Sequence, residues 1–423
     1  MSQAPSTAEH VAHLGLRLGR LMLANGAGTE RVQQAVNDYV ARFGYDARLM
    51  VSAEGLIITL EKGGHFHTRL GHALSGMAIN MGALAELKAI RSETIAADPD
   101  FETIDRKFGD VEHAGNHYPP VLVILGMGLT AAALARLFGA EWPVVYVSVL
   151  VGIMTQTLRQ TLNRCGVHPV AMAGLAAFGG GLAGALAIRL FPGVSATLCL
   201  VAAGMILVPG APLINGIRDL FSNHIGVGVS RLVLGGITIL AITFGLLSAA
   251  SIAGDQMPVA GKMTLLPVPE DFLFSALAGV GFALLFNVPI RSAWVCVITA
   301  MIGHGLRTAV MHMGLDIVPA VLIGAFAATL VARLMAAAYD VPPVAFAFPG
   351  VVSMIPGSFG FRTGIGALTI MKEGAGTAPS FVAETIGLGV TTGLMTAAIA
   401  IGLSLALATR KPSPTTSRTG VRK

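Results

Sequence analysis

The chain is expected to be an α-helical polytopic membrane protein. About ten transmembrane helices fall in two five-helix repeats, the second inverted, behind a small α+β domain outside the bilayer. Three observations predict this. Of the 423 residues, 54% are hydrophobic and only 12% charged, about half the charge of an ordinary soluble protein. Residues 1–118 hold 25 of the 51 Asp, Glu, Lys and Arg side chains. From Pro119 onward, apolar runs recur near the ~20 residues a helix needs to cross a bilayer.

Taken in order, residues 1–118 read as the soluble domain. Its first 25 residues include Glu9, His10, His13, Arg17 and Arg20, so no signal peptide is expected. Leu14, Leu18, Leu21 and Met22 fall at helical spacing, and Asn25-Gly26-Ala27-Gly28 stops that helix. Thr29-Glu30-Arg31 opens a second, with Val32, Ala35, Val36, Tyr39 and Val40 on one side. Strand-like runs follow at 47–52 and 55–62, with a third through Arg69, and polar helical stretches run from about Ser75 to Asp110. His65 and His67 share a strand face near His72, but no residue is clearly spaced as a further ligand. No metal or cofactor is therefore assigned.

Spans are expected near 119–139, 143–163, 168–189, 193–213 and 229–251, and near 270–288, 291–312, 315–337, 344–371 and 381–408. The first repeat is thus 119–251, the second 270–408, with an external loop at 252–269 between them. The basic Ser-, Thr- and Pro-containing tail, 409–423, reads as disordered. A shift of 147 residues superposes the halves, anchored by Val208-Pro209-Gly210 against Ile355-Pro356-Gly357. Five spans are an odd number, so the second repeat would enter the membrane upside down, as in many secondary transporters. Eleven basic residues on one set of loops and the tail, against five on the other, place both termini in the cytoplasm. The net charge of +5 is dispersed, which argues against nucleic acid. Cys165, Cys199 and Cys296 fit no disulfide or metal framework.

The candidate transport site lies at the Pro-Gly breaks. A proline inside an apolar helix frees carbonyls that only protein or a wet cavity can satisfy. The expected substrate-binding residues are Pro209, Gly210, Asn215, Arg218 and Asp219 in the first half, and Pro356, Gly357, Ser358 and Arg362 in the second. Arg362 could hold a carboxylate or pair with Glu384. Glu384, His304 and Asp219 are the proton-coupling candidates, as ionisable groups at membrane depth. Gln156, Thr155 and Asn163 read as interhelical hydrogen-bonding groups. No Gly-x-x-x-x-Gly-Lys loop occurs, which argues against an ATP-driven pump, and no catalytic residue is assigned.

The run Leu16–Val32, with Gly26-Ala27-Gly28-Thr29-Glu30-Arg31-Val32 at its end, resembles the opening of the threonine/serine exporter family. Gly55–Leu60, Val208-Pro209-Gly210, Arg218-Asp219 and Ile355-Pro356-Gly357 resemble the same family, over about residues 10–408. The resemblance implies a ten-span exporter in the bacterial inner membrane, moving threonine and serine outward on the proton motive force. Two-chain relatives linked to dicarboxylate export leave a succinate-type substrate as the alternative. A membrane-anchored enzyme or sensor acting through residues 1–118 is a third reading. The partners are then a small-molecule substrate, protons and lipid, with a homo-oligomer left open.

Overall fold

In a computed structural model, residues 7–52, 54–71, 79–97, 100–192, 197–254, 264–339 and 341–408 are described. The expectations for His72, half of the 252–269 loop and the 409–423 tail lie outside them.

The N-terminal domain follows the expected order. Helices α1 (Thr7–Ala24) and α2 (Thr29–Ala41) precede strands β1 (Asp46–Val51), β2 (Leu56–Lys62) and β3 (His65–Gly71), then α3 (Met81–Ala97) and α4 (Phe101–His113). The strands form one antiparallel sheet in the order β1-β2-β3. Alternation along β2 buries Leu56, Ile58 and Leu60. These face a core shared with Leu14, Leu18, Val36, Tyr39 and Phe108. Arg17 ties α1 to α4, its guanidinium 2.5 Å from Asp105 and 3.0 Å from Glu112. Gly26, at φ +94°, supplies the left-handed residue that reverses the chain after α1.

The membrane region consists of α5 (Pro120–Leu137), α6 (Trp142–Arg164), α7 (Pro169–Ala187), α8 (Thr197–Met205), α9 (Gly210–Phe221) and α10 (Ile225–Ala253). It continues with α11 (Val268–Leu285), α12 (Ala293–His312), α13 (Ile317–Ala338), α14 (Val344–Val351), α15 (Gly357–Glu373) and α16 (Pro379–Ala408). Seven of these, some with a 3-10 extension, are singly long and apolar enough to cross a membrane: α5, α7, α10, α11, α12, α13 and α16. Two more candidate spans are broken, α8 with α9 bent by 52° and α14 with α15 by 47°, giving up to nine among the described residues. The tenth expected span corresponds to α6. It is 23 residues long but is not among the nine, and its second half carries Gln156, Arg159, Gln160, Asn163 and Arg164.

Close packing of small residues carries the helix contacts, as lipid supplies no hydrophobic drive between helices. α5 lies against α6 and α11, and α11 against α12. α7 packs on α10 as α13 packs on α16, while α10 meets α15 and α16 meets α9.

Candidate functional site

Both helix breaks have the same local cause. Pro209 (φ −77°, ψ 64°) and Pro356 (φ −75°, ψ 49°) lack an amide proton, and each centres an inverse γ-turn. The turn closes with Gly210 N donating to the Val208 carbonyl at 2.8 Å, and Gly357 N to the Ile355 carbonyl at 2.7 Å. Helices α9 and α15 restart at these glycines. The turns also press on each other. A Cβ on Gly210 would collide with the Ile355 side chain, and one on Gly357 with the Val208 side chain. A larger residue at either position would require the opposing side chain to shift.

Beside the stacked turns lies a cavity of about 1070 Å³, at the upper end of the usual size for small-molecule sites. The breaks contribute Met205–Pro212, Val352, Ser353, Ile355 and Gly357 to its wall. α6 contributes Gln156, Arg159, Gln160, Asn163 and Arg164; His168 lies at the start of α7; Phe282, Phe286 and Phe348 close the apolar side. The N-terminal domain borders it through Asn25, Asn80 and Asn116. No Asp or Glu among the described residues lines it. Among the described residues Arg159 has neither a hydrogen-bond partner nor a nearby carboxylate.

The N-terminal domain is bolted to the membrane region at two places. The first is the Gly26–Glu30 segment, which sits on α9 and α10. The Asp219 carboxylate lies 2.5 Å from Arg231 and accepts from the Thr29 amide at 3.2 Å. Arg231 also donates to the Ala27 carbonyl, Asn215 to the Gly26 carbonyl at 3.1 Å, and Ser222 to Glu30 at 3.0 Å. Asp219 and Arg231 are 2% and 3% exposed, so neither charge is stable there without the other. Nearby, burial and the guanidiniums of Arg91 and Arg218 push Arg31 down to about 10, still protonated at neutral pH. The second attachment joins the start of α3 to the turn after α11. Met81 N and Gly82 N donate to the Phe286 and Asn287 carbonyls at 2.9 and 3.0 Å. The Asn287 side chain donates to Asn80 at 2.9 Å and accepts from His117 N at 2.7 Å.

Of the residues expected at a substrate site, Pro209, Gly210 and Gly357 line the cavity. Pro356 makes the second turn, and Ser358 is buried with no partner for its hydroxyl among the described residues. Asn215 and Asp219 bond to the N-terminal domain instead, and Arg218 lies close to Gly28. Arg362 is half-buried within electrostatic reach of the exposed Glu384, and neither lines the cavity. His304 is buried against Asp271 and Arg307. The loop-charge count takes in Arg159, Arg231 and Arg307, which the structure puts within α6, α10 and α12, and Asp271 is not among the residues the sequence singles out. The available signal is a repeated spacing: Arg159 and Arg307 each follow another polar residue, Gln156 and His304, by three positions. Thr155 makes no side-chain bond among the described residues, while Gln156 and Asn163 face the cavity. No described group of His, Cys, Asp and Glu could hold a metal ion.

Family profiles match both halves of this architecture. One described as a putative threonine/serine exporter matches residues 13–253, and a second, for the threonine/serine exporter ThrE, matches 271–409. The chain belongs to the threonine/serine exporter family. The boundary between the two exporter profiles falls in the 252–269 segment. Among curated relatives, a probable succinate transporter subunit YjjP of Klebsiella aerogenes is 26% identical over 58% of this chain and 94% of its own length. The protein of the same name in Escherichia coli K12 is 27% identical over 58% and 95%. An uncharacterized protein of Haemophilus influenzae is 31% identical over 36% of this chain and 51% of its own. No solved structure matches. A multi-pass membrane transporter of the exporter family is therefore the established frame.

Proposed function

We propose that this chain is a secondary active transporter exporting small carboxylate-bearing metabolites through the cavity at the two breaks, with dicarboxylates as the better-suited substrates. The observation that carries the reading is the charge of the wall: among the described residues, Arg159, Arg164 and His168 face the cavity and no acidic residue does. A free guanidinium presents a planar fork to a carboxylate. The amide-bearing N-termini of α9 and α15 meet at the same place and favour anions. The names of the succinate transporter relatives agree with this chemistry.

Threonine and serine, expected from the family resemblance, form the second reading. A zwitterion also needs acceptors for its ammonium group. Met205, Ile206 and Leu207, at the C-terminal end of α8, line the cavity, and carbonyls left unpaired at a helix end could serve. In this reading the ammonium is met by backbone dipoles instead of a carboxylate.

An inverted repeat is supported by the reciprocal packing of the breaks. Val208 and Ile355, like Gly210 and Gly357, are equivalent under the 147-residue shift, and each glycine meets the other half's equivalent residue. Such self-complementary contacts arise on a two-fold axis. On this plan α6 completes ten spans, its polar half turned to the cavity. The loop charges then place the N-terminal domain and both termini in the cytoplasm, the membrane being the bacterial inner membrane. The cavity faces inward, and the domain straddling its mouth acts as a gate.

The test is efflux from proteoliposomes loaded with labelled succinate or threonine, with and without an imposed proton gradient. Succinate efflux, reduced about tenfold or more at limiting substrate by Arg159→Gln, is expected, since charged hydrogen bonds contribute about 1.5–3 kcal/mol. Threonine efflux indifferent to succinate would select the second reading. An unchanged rate and apparent affinity in Arg159→Gln would remove Arg159 from the site.

A further inference from the structure

On the face away from the N-terminal domain, α11 and α12 enclose a polar network that the cavity does not use. Asp271, in the first turn of α11, accepts from the Thr308 hydroxyl at 2.7 Å and the Ser275 hydroxyl at 3.2 Å. His304 Nδ1 lies 2.8 Å from the same carboxylate, and Arg307 lies 3.1 Å from His304 Nε2. Asp271 and His304 are each 1% exposed, and Arg307 is 7% exposed.

The protonation of this network follows from its geometry. A guanidinium can only donate, so Nε2 of His304 is the acceptor and carries no proton. The ring is then neutral, and its one proton, on Nδ1, is donated to Asp271. One carboxylate and one guanidinium balance. Asp271 has three donors, whereas Arg307 has this single side-chain bond among the described residues, and its Nε has none. A proton arriving at Nε2 would take the lone pair that Arg307 uses. It would also set a second positive charge beside the first in a site shielded from water. His304 would keep its bond to Asp271, and Arg307 would be expelled.

Among the described residues no other charge faces the imidazole. Glu270, beside Asp271, pairs with Arg136 of α5 at 2.6 Å. His312, two turns on from His304, donates to the Leu266 carbonyl at 2.8 Å. α13 and α14 also pack on α12. α14 has no ionisable side chain, and α13 has only Arg333, at its other end, where it donates to the Ala406 carbonyl. Asp316, just before α13, is exposed.

We propose that Asp271, His304 and Arg307 form a proton-operated latch that holds the far side of the transport path shut. A proton from the far-side medium binds the Nε2 lone pair, Arg307 swings away, and α11 and α12 part. Loss of the same proton re-forms the latch, and no other bond is made or broken. The proposal rests on the transport reading, because a latch needs a path to close.

The experiment reads the gate itself and requires no substrate. Ser275, fully buried on α11 beside Asp271, is replaced by the near-isosteric Cys in a Cys165→Ser background. An impermeant thiol reagent is then applied to the far face of the full-length protein in proteoliposomes. Labelling is expected to rise about tenfold between about pH 8 and about pH 5.5, across the titration range of histidine. Thiol chemistry alone would give the opposite trend, since acid depletes the thiolate. In His304→Gln the neutral amide preserves both bonds, and labelling should stay low at every pH. In Arg307→Gln it should be fast at every pH. His304→Gln following the native pH curve, or Arg307→Gln protected throughout, would overturn the latch. Failure of succinate and threonine to move would instead count against the transport reading and leave the labelling result standing.

Discussion

Two helices of matching length treat their arginines in opposite ways. α6 spans Trp142–Arg164, and α12 with its leading 3-10 turn spans Ile290–His312, 23 residues each. Arg159 and Arg307 occupy the same position along them, as do Gln156 and His304. Their neighbours α5 and α11 are 18 residues each, and Val123 on the first stands where Asp271 stands on the second. On the open side, valine and glutamine leave Arg159 without a counter-charge, facing the cavity. On the shut side, aspartate and histidine draw Arg307 into a buried network. An arginine at one position thus faces a cavity or enters a buried network, according to whether a carboxylate lies opposite.

The comparison can be broken at several points. The largest effect on transport is expected at the stacked turns: Gly210→Leu or Gly357→Leu forces a side chain into the opposite half. Overpacking of this kind costs about 1–3 kcal/mol or more, and both transport and the detergent melting temperature should fall sharply. Asp219→Asn leaves Arg231 buried without its counter-charge, a loss of about 3–5 kcal/mol. It should free the N-terminal domain to limited proteolysis, and Arg231→Met in the same chain should restore part of the stability. Val123→Asp with Gln156→His transplants the closed arrangement to the open side. Efflux at neutral pH should fall about tenfold and recover in acid, as a histidine partner titrates in that range. Last, Arg159→Gln should change the melting free energy by no more than about 0.5 kcal/mol, as is usual for a side chain outside a network. A large loss of stability there would mean that Arg159 is held as tightly as Arg307.

Much of this architecture was legible because lipid imposes a length and a composition on each span. The apolar runs, the soluble domain and the two Pro-Gly breaks all follow from local pattern. α6 was read as a span from its length alone; its polar face only makes sense once the cavity beside it is seen. Asp219 was singled out for its depth, but its partners Thr29 and Arg231 lie 190 and 12 residues away, and no local rule joins them. Asp271, four residues into an apolar helix after a proline-rich loop, resembles an interfacial charge until its contacts with α12 are known. Counting arginines to orient the loops hid Arg159 and Arg307, since that bookkeeping treats every arginine as a topological marker.

The depth of the cavity has an electrical consequence. A space of about 1070 Å³, once filled with water on the proposed transport path, would conduct, so the medium on its open side would extend to the level of the two breaks. The membrane voltage would then drop over the layer beyond them, on the side of Asp271, His304 and Arg307. A charge crossing that layer feels nearly the whole potential, worth about 2.3 kcal/mol per 100 mV. Voltage and pH would act on the same few ångströms of protein, so the electrical and chemical parts of a proton gradient would both be felt at one pair of helices.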